Sequence, residues 1–244
     1  MTNLVINTAS VDERKERTAF HLEAGSQLEK SVKSFDFTKK LPCYYAEDPC
    51  WKGMPMQYDR HAQRTLFGPV GTLSTSGCGV FVTYYMEYMY DYNFCLSIEE
   101  WAEEVDDKGY AEIEGIGTSV FLIDNVICAL SKQVLTPAKD TRLTTVDEII
   151  HNLEHGISVP IRVNNAIYSD DPSDTGGQYV FIIGLTDKML DDNNELYKVN
   201  YTVAHIFDPN KGNLAVPFEK IMNAAVSDPN LTVAWDLSNI IGDC

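Results

Sequence analysis

The hydrophobic periodicity of the chain changes at Gly156, and that change limits the folds open to it. Upstream, apolar residues recur at intervals of three and four; downstream they fall in short runs of β-branched and aromatic residues. Between Gly77 and Phe94, the aromatics Phe81, Tyr84, Tyr85, Tyr88 and Tyr92 recur beside Val82, Met86 and Met89. Apolar groups on most of the circumference predict a central, buried helix. Ser97 with Glu100 and Thr145 with Glu148 are capping boxes ahead of two further helices, the second stopping at Gly156, and Thr118 opens a helix that ends before Gln133. After Gly156 come SVPIRVNN, QYVFIIGL, ELYKVNYTVAHIFD and LTVAWDL, separated by SDDPSDTGG, DDNN and a short helix over 216–225. Helices followed by an antiparallel sheet make an α+β arrangement.

Ser10 with Glu13 caps a helix ahead of these elements, in which charges alternate with Phe20, Leu22 and Leu28. It reads as largely exposed, with a break near Gly25. The Pro-, Gly- and aromatic-rich stretch from Leu41 to Gly77 reads as a long ordered loop. The expected organisation is an N-terminal helical extension over 1–40 and a main domain over 41–244.

Composition narrows the function classes. At 244 residues the chain suffices for one full core or two small ones, and 44% hydrophobic residues is the content of a folded protein. A net charge of -17 with no basic patch repels polyphosphate, which argues against nucleic acid as a partner. No stretch approaches the roughly 20 apolar residues of a membrane span. MTNLVINTASVDERKER lacks the basic start, apolar middle and cleavage site of a secretory signal, so a cytoplasmic location is expected, or a secreted one if a leader has been removed. The six cysteines, at 43, 50, 78, 95, 128 and 244, give no CxxC pair and no zinc-finger spacing with histidine, so neither a structural metal nor a cofactor is expected. Whether Cys43 and Cys50 pair is left open by the sequence.

One cysteine has distinctive surroundings. Cys78 lies between Gly77 and Gly79 at the start of the central helix, where unpaired N–H groups stabilise a thiolate and the glycines let a substrate carbonyl approach. Neighbouring N–H groups there also suit an oxyanion. The same position serves equally a cysteine that only packs.

The segment TLSTSGCGVFVTYYMEYM resembles the stretch around the nucleophile of bacterial cysteine peptidases similar to the bacteriocin-leader-processing peptidases, a branch of the papain-like superfamily. YYAEDPCWKGMP, with Asp48, Pro49 and Trp51, is similar to an upstream segment of that family; LSIEEWAEEVDDKGYAEIEGIGTSVFLI resembles its following helices. GGQYVFIIGL and HIFDPNKG resemble the segments that carry its histidine and its aspartate. The resemblance covers about residues 41 to 215 in order. It implies a papain-like cysteine peptidase fold with Cys78 as nucleophile, Asp208 as the group that orients the base, Gln178 in the place of the histidine base, and Gly77, Gly79 and Trp51 about the cleft.

A carboxamide does not titrate near neutral pH, so Gln178 neither takes the thiol proton nor returns it to a leaving amine. The family's glutamine ahead of its Asp-Pro pair is also replaced, by Ala46 and Glu47. The expectation is a catalytically impaired peptidase-like protein that binds a peptide or protein in its cleft. The alternative is an active thiol hydrolase or acyl-transfer enzyme with a displaced base such as His205, although His205 and Asp208, three apart on a strand, point to opposite faces unless a bulge intervenes. A third reading is an interaction domain with a closed cleft. His61 falls in the covering loop, His21 faces solvent on the first helix, and His151 and His155 share a face at a helix C-terminus, where the dipole favours them. Asp208-Pro209-Asn210 is also a plain turn, and Trp51 a packing anchor, if no cleft is present.

Overall fold

The structure is a computed structural model that describes residues 10–45, 54–67, 71–91, 93–107, 118–132, 135–169, 171–174, 176–191, 193, 195–227 and 232–240. It is α+β, with antiparallel strand pairing throughout. In chain order the helices are α1 (Val11–Ser34), α2 (Leu73–Ser76), α3 (Cys78–Tyr90), α4 (Ile98–Asp107), α5 (Val120–Leu130), α6 (Val146–Glu154), α7 (Asn165–Tyr168) and α8 (Phe218–Ala225). The strands are β1 (Tyr44–Tyr45), β2 (Leu66–Phe67), β3 (Gly71–Thr72), β4 (Val159–Asn164), β5 (Gly177–Leu190), β6 (Leu196–Asp208) and β7 (Gly212–Pro217). The chain divides into two compact units, one of Met1–Thr18, Cys50–Thr141 and Leu237–Cys244, the other of Ala19–Pro49 and Arg142–Asp236.

The first unit is helical and centres on α3. Every residue of α3 from Cys78 to Glu87 is buried, because apolar and aromatic groups occupy all of its faces. Its polar atoms have partners: the Trp101 indole of α4 donates to Thr83 Oγ1 at 3.1 Å, and the Tyr85 hydroxyl donates to the Pro55 carbonyl at 2.6 Å. Phe94 stacks edge-on with both Tyr84 and Trp101, at 5.2 and 5.6 Å between ring centroids. Helix α5 begins at a serine cap, Ser119 Oγ accepting from Phe121 N, and buries Leu122, Ile123, Val126 and Ile127.

Glu87 is the exception in α3. Its side chain is buried, and burial first, then the charges of Asp91 and Glu104, push its carboxyl up to about 7 from an ordinary value of 4.5. The native state thus holds this proton more tightly than the unfolded chain, so the stability it contributes is full below pH 4.5 and is lost as pH rises to about 7. Glu87→Gln is expected to flatten that part of the stability–pH curve and to be more stable than wild type at pH 8 by about 1–3 kcal/mol. Urea unfolding at a series of pH values measures it, and an unchanged slope would mean that Glu87 ionises without cost.

In the second unit, β5 is the central strand. It pairs with β4 and β1 along one side and with β6 on the other, and β7 pairs with β6. An extra residue in β5 between Ile182 and Gly184 shifts its register against β6, whereas β6 runs in unbroken register with β7 from Val203 to Asp208. Val180, Ile182, Ala204 and Ile206 join a core with Leu153 of α6, Ile221 and Met222 of α8, and Leu28 and Val32 of α1. Tyr179 packs on Trp235 at 5.6 Å, and the Arg142 guanidinium lies over the same indole.

Three expectations change. Helix α1 is continuous through Gly25, since the cost of one glycine, about 1 kcal/mol, is offset by burying Ala24, Leu28 and Val32. His21 lies on that same stripe and is buried at 6% exposure, not solvent-facing. Within LTVAWDL, Ala234 and Trp235 make only isolated bridges, to Ile161 and Arg142, and β7 is instead the short GNLAVP segment ahead of α8.

Among the described residues no helix is long and apolar enough to cross a membrane.

Candidate functional site

Cys78 is the first residue of α3 and is buried, with Gly77 as the N-cap. The short α2 runs directly into this helix: Gly77 N donates to the Leu73 carbonyl at 3.0 Å, and Phe81 N donates to the Gly77 carbonyl at 3.1 Å. Both flanking glycines are steric requirements. A Cβ on Gly77 would stand 2.6 Å from the Leu73 carbonyl oxygen, and one on Gly79 would stand 2.6 Å from the Cβ of Thr118. The thiol therefore lies at a helix N-terminus between two closely packed glycines, where the N–H groups of the first turn favour negative charge.

The second unit holds Gln178 and Asp208, and brings them together. Both are buried, Asp208 completely. Gln178 Nε2 donates to Asp208 Oδ1 at 3.2 Å, the Tyr168 hydroxyl donates to Oδ2 at 3.0 Å, and the backbone N–H of Asn210 donates to Oδ1 at 2.7 Å. The last bond, with Lys211 N on the Asp208 carbonyl at 3.2 Å and Gly212 at φ +75°, also makes the β6–β7 turn. One carboxylate thus both makes the turn and accepts from Gln178 and Tyr168. Burial pushes Asp208 above its ordinary value, opposed by the bonds from Asn210 and Tyr168 and by the Lys211 charge. Burial, then the Asp208 charge, also raises Tyr168 strongly, which keeps it a neutral donor.

Gly177, ahead of Gln178, is fixed by a neighbour: a Cβ there would meet the Arg162 guanidinium at 2.2 Å. His205 is half-buried and its Nε2 lies 2.8 Å from Thr186 Oγ1. The regular register of β6 with β7 leaves His205 and Asp208 on opposite faces of the strand. Burial lowers the His205 pKa below its ordinary value. His61 is exposed and lies 3.7 Å from Glu99, in the first unit. Trp51, with Ala46, Glu47 and Cys50, lies outside the described residues. Cys43, Cys78, Cys95 and Cys128 are thiols and not disulfides.

Three contributors went unread in the sequence. Tyr168 ends α7, a single turn capped by Asn164 within a stretch whose composition signals only a turn. Thr118 is the surface against which Gly79 packs. Gln57, almost wholly buried, donates from Nε2 to the Ser74 carbonyl at 3.0 Å, four residues before Cys78, and its Oε1 has no hydrogen-bond partner among the described residues.

No family model matches the sequence, no curated protein matches it, and no solved structure matches it.

Proposed function

We propose that the chain is a papain-like cysteine-peptidase-fold protein with a degenerate catalytic set, which binds a peptide or protein without efficient cleavage. The observation that carries this reading is the bond from Gln178 Nε2 to Asp208 Oδ1. The carboxylate grips the side chain in the base position as it would grip an imidazole N–H, yet the side chain it grips has no proton to exchange. Cys78 at the start of α3 supplies the nucleophile position, held by close-packed glycines on each side. Gln178 in the base position offers no imidazolium to favour a thiolate and no general acid for a leaving amine. What persists is binding: backbone donors at a helix N-terminus and an extended strand suit a main chain, and the overall acidity disfavours polyphosphates.

The test is reactivity combined with binding. Iodoacetamide at neutral pH is expected to label the exposed Cys43 and Cys95 first, and Cys78 more slowly by roughly tenfold or more. Labelling of Cys78 with a bulky maleimide should then weaken binding of a fluorescent peptide library, while the unlabelled protein leaves that library uncut. Rapid labelling of Cys78 that persists below pH 5, or cleavage that Cys78→Ala abolishes, would show that a working base is present and overturn the impaired reading.

A further inference from the structure

We propose that the C-terminal turn of α6 is a binding site for a divalent transition-metal ion of the Zn2+ class, with His151, Glu154 and His155 as its ligands. The three residues are exposed, and their ligand atoms lie within 4.8 Å of one another. The spacing is that of a helical chelate: residues three and four apart share one face, and here both imidazoles and the carboxylate lie on it. The imidazole centroids lie 4.2 Å apart, with the ring planes tilted by 52°. Small rotations of exposed side chains bring such a set to the 2.0–2.2 Å bonds that Zn2+ makes with nitrogen and oxygen.

A further feature distinguishes this set from histidines that meet by chance. His155 Nδ1 lies 2.7 Å from the His151 carbonyl oxygen, an acceptor only, so Nδ1 carries the proton and Nε2 is left with its lone pair toward solvent. A backbone carbonyl behind a ligand is the kind of outer support that orients metal ligands. Two nitrogens and one carboxylate favour Zn2+, Ni2+ or Cu2+ over the hard cations Mg2+ and Ca2+, which prefer oxygen alone. The net charge of -17 adds a long-range attraction for any cation. Three ligands on one turn leave at least one coordination position to water or to a ligand from elsewhere.

Titration calorimetry of the untagged, full-length chain with Zn2+ tests the site. The expected result is one saturable ion per chain, unaffected by prior alkylation of the thiols. The double substitution His151→Ala, His155→Ala should weaken binding at least about a hundredfold. With Cu2+ in place of Zn2+, electron paramagnetic resonance should show coupling to two imidazole nitrogens, and the double variant should lose it. The histidines are exposed, so the variants should fold as wild type when chelator is present. Saturable uptake that survives in the double variant, uptake that disappears on thiol alkylation, or no uptake by wild type would each overturn the assignment.

Discussion

Gln178→His is expected to turn the chain into a measurable thiol hydrolase, raising turnover of an activated ester by about a hundredfold to ten-thousandfold over wild type. Position 178 is buried on β5 and its side chain already contacts the Asp208 carboxylate, so an imidazole placed there inherits a ready orienting partner. Its other nitrogen then becomes available as a base for a thiol, and the imidazolium formed by proton transfer favours the thiolate electrostatically. The two side chains are similar in bulk, so packing about β4 and β5 should tolerate the exchange. Cys78→Ala in the same background should remove all the gained turnover. If wild type already hydrolyses the ester and Gln178→His leaves the rate unchanged, the base lies elsewhere and the displaced-base reading prevails. A folded Gln178→His protein with no gain in turnover and no change in the pH profile of Cys78 alkylation would favour a closed, non-catalytic domain instead.

The parts of this molecule that were readable in sequence are those where one local signal is decisive. The aromatic helix beginning at Cys78 announces itself by burial on every face, and the capping box of Thr145 and Glu148 marks the start of α6 as found, with Thr145 Oγ1 accepting from Glu148 N. The alternation that places His205 and Asp208 on opposite faces needs only the period of a strand. What was not readable depends on distant partners. Gly25 reads as a break until the burial of Leu28 and Val32 in the sheet's core is known. Tyr168 reads as part of a turn until Asp208, forty residues away, is seen to accept its hydrogen bond. Gln57 carries no motif, and only the Ser74 carbonyl gives it a place. Histidines 151 and 155 were legible as a pair, but the tautomer required coordinates.

Asp208→Ala should be among the most damaging single substitutions in the second unit, lowering stability by about 3–5 kcal/mol. It strands three donors at once, the Gln178 amide, the Tyr168 hydroxyl and the Asn210 N–H, each costing roughly 1–3 kcal/mol when buried without an acceptor, with partial relief where a side chain can turn away. For a chain of this size the loss corresponds to a fall in Tm of roughly 10 °C. Asp208→Asn keeps the Oδ1 acceptor and the shape, and should cost less than about 1 kcal/mol at neutral pH. The sign of the pH effect follows from burial. Because the folded pKa of Asp208 is raised above its ordinary value of 3.8, ionisation costs the native state stability as pH rises from 3.8 upward, and Asp208→Asn removes that loss. The same pair of variants separates a structural from a catalytic part for this residue. Added to Gln178→His, Asp208→Asn should leave the fold intact and yet cut the gained turnover by up to about ten-thousandfold, because a neutral carboxamide neither fixes the imidazole tautomer nor stabilises the imidazolium. Thermal unfolding and ester turnover measured on the same preparations decide it. Equal turnover in Gln178→His with and without Asp208→Asn would mean that the carboxylate only closes the β6–β7 turn.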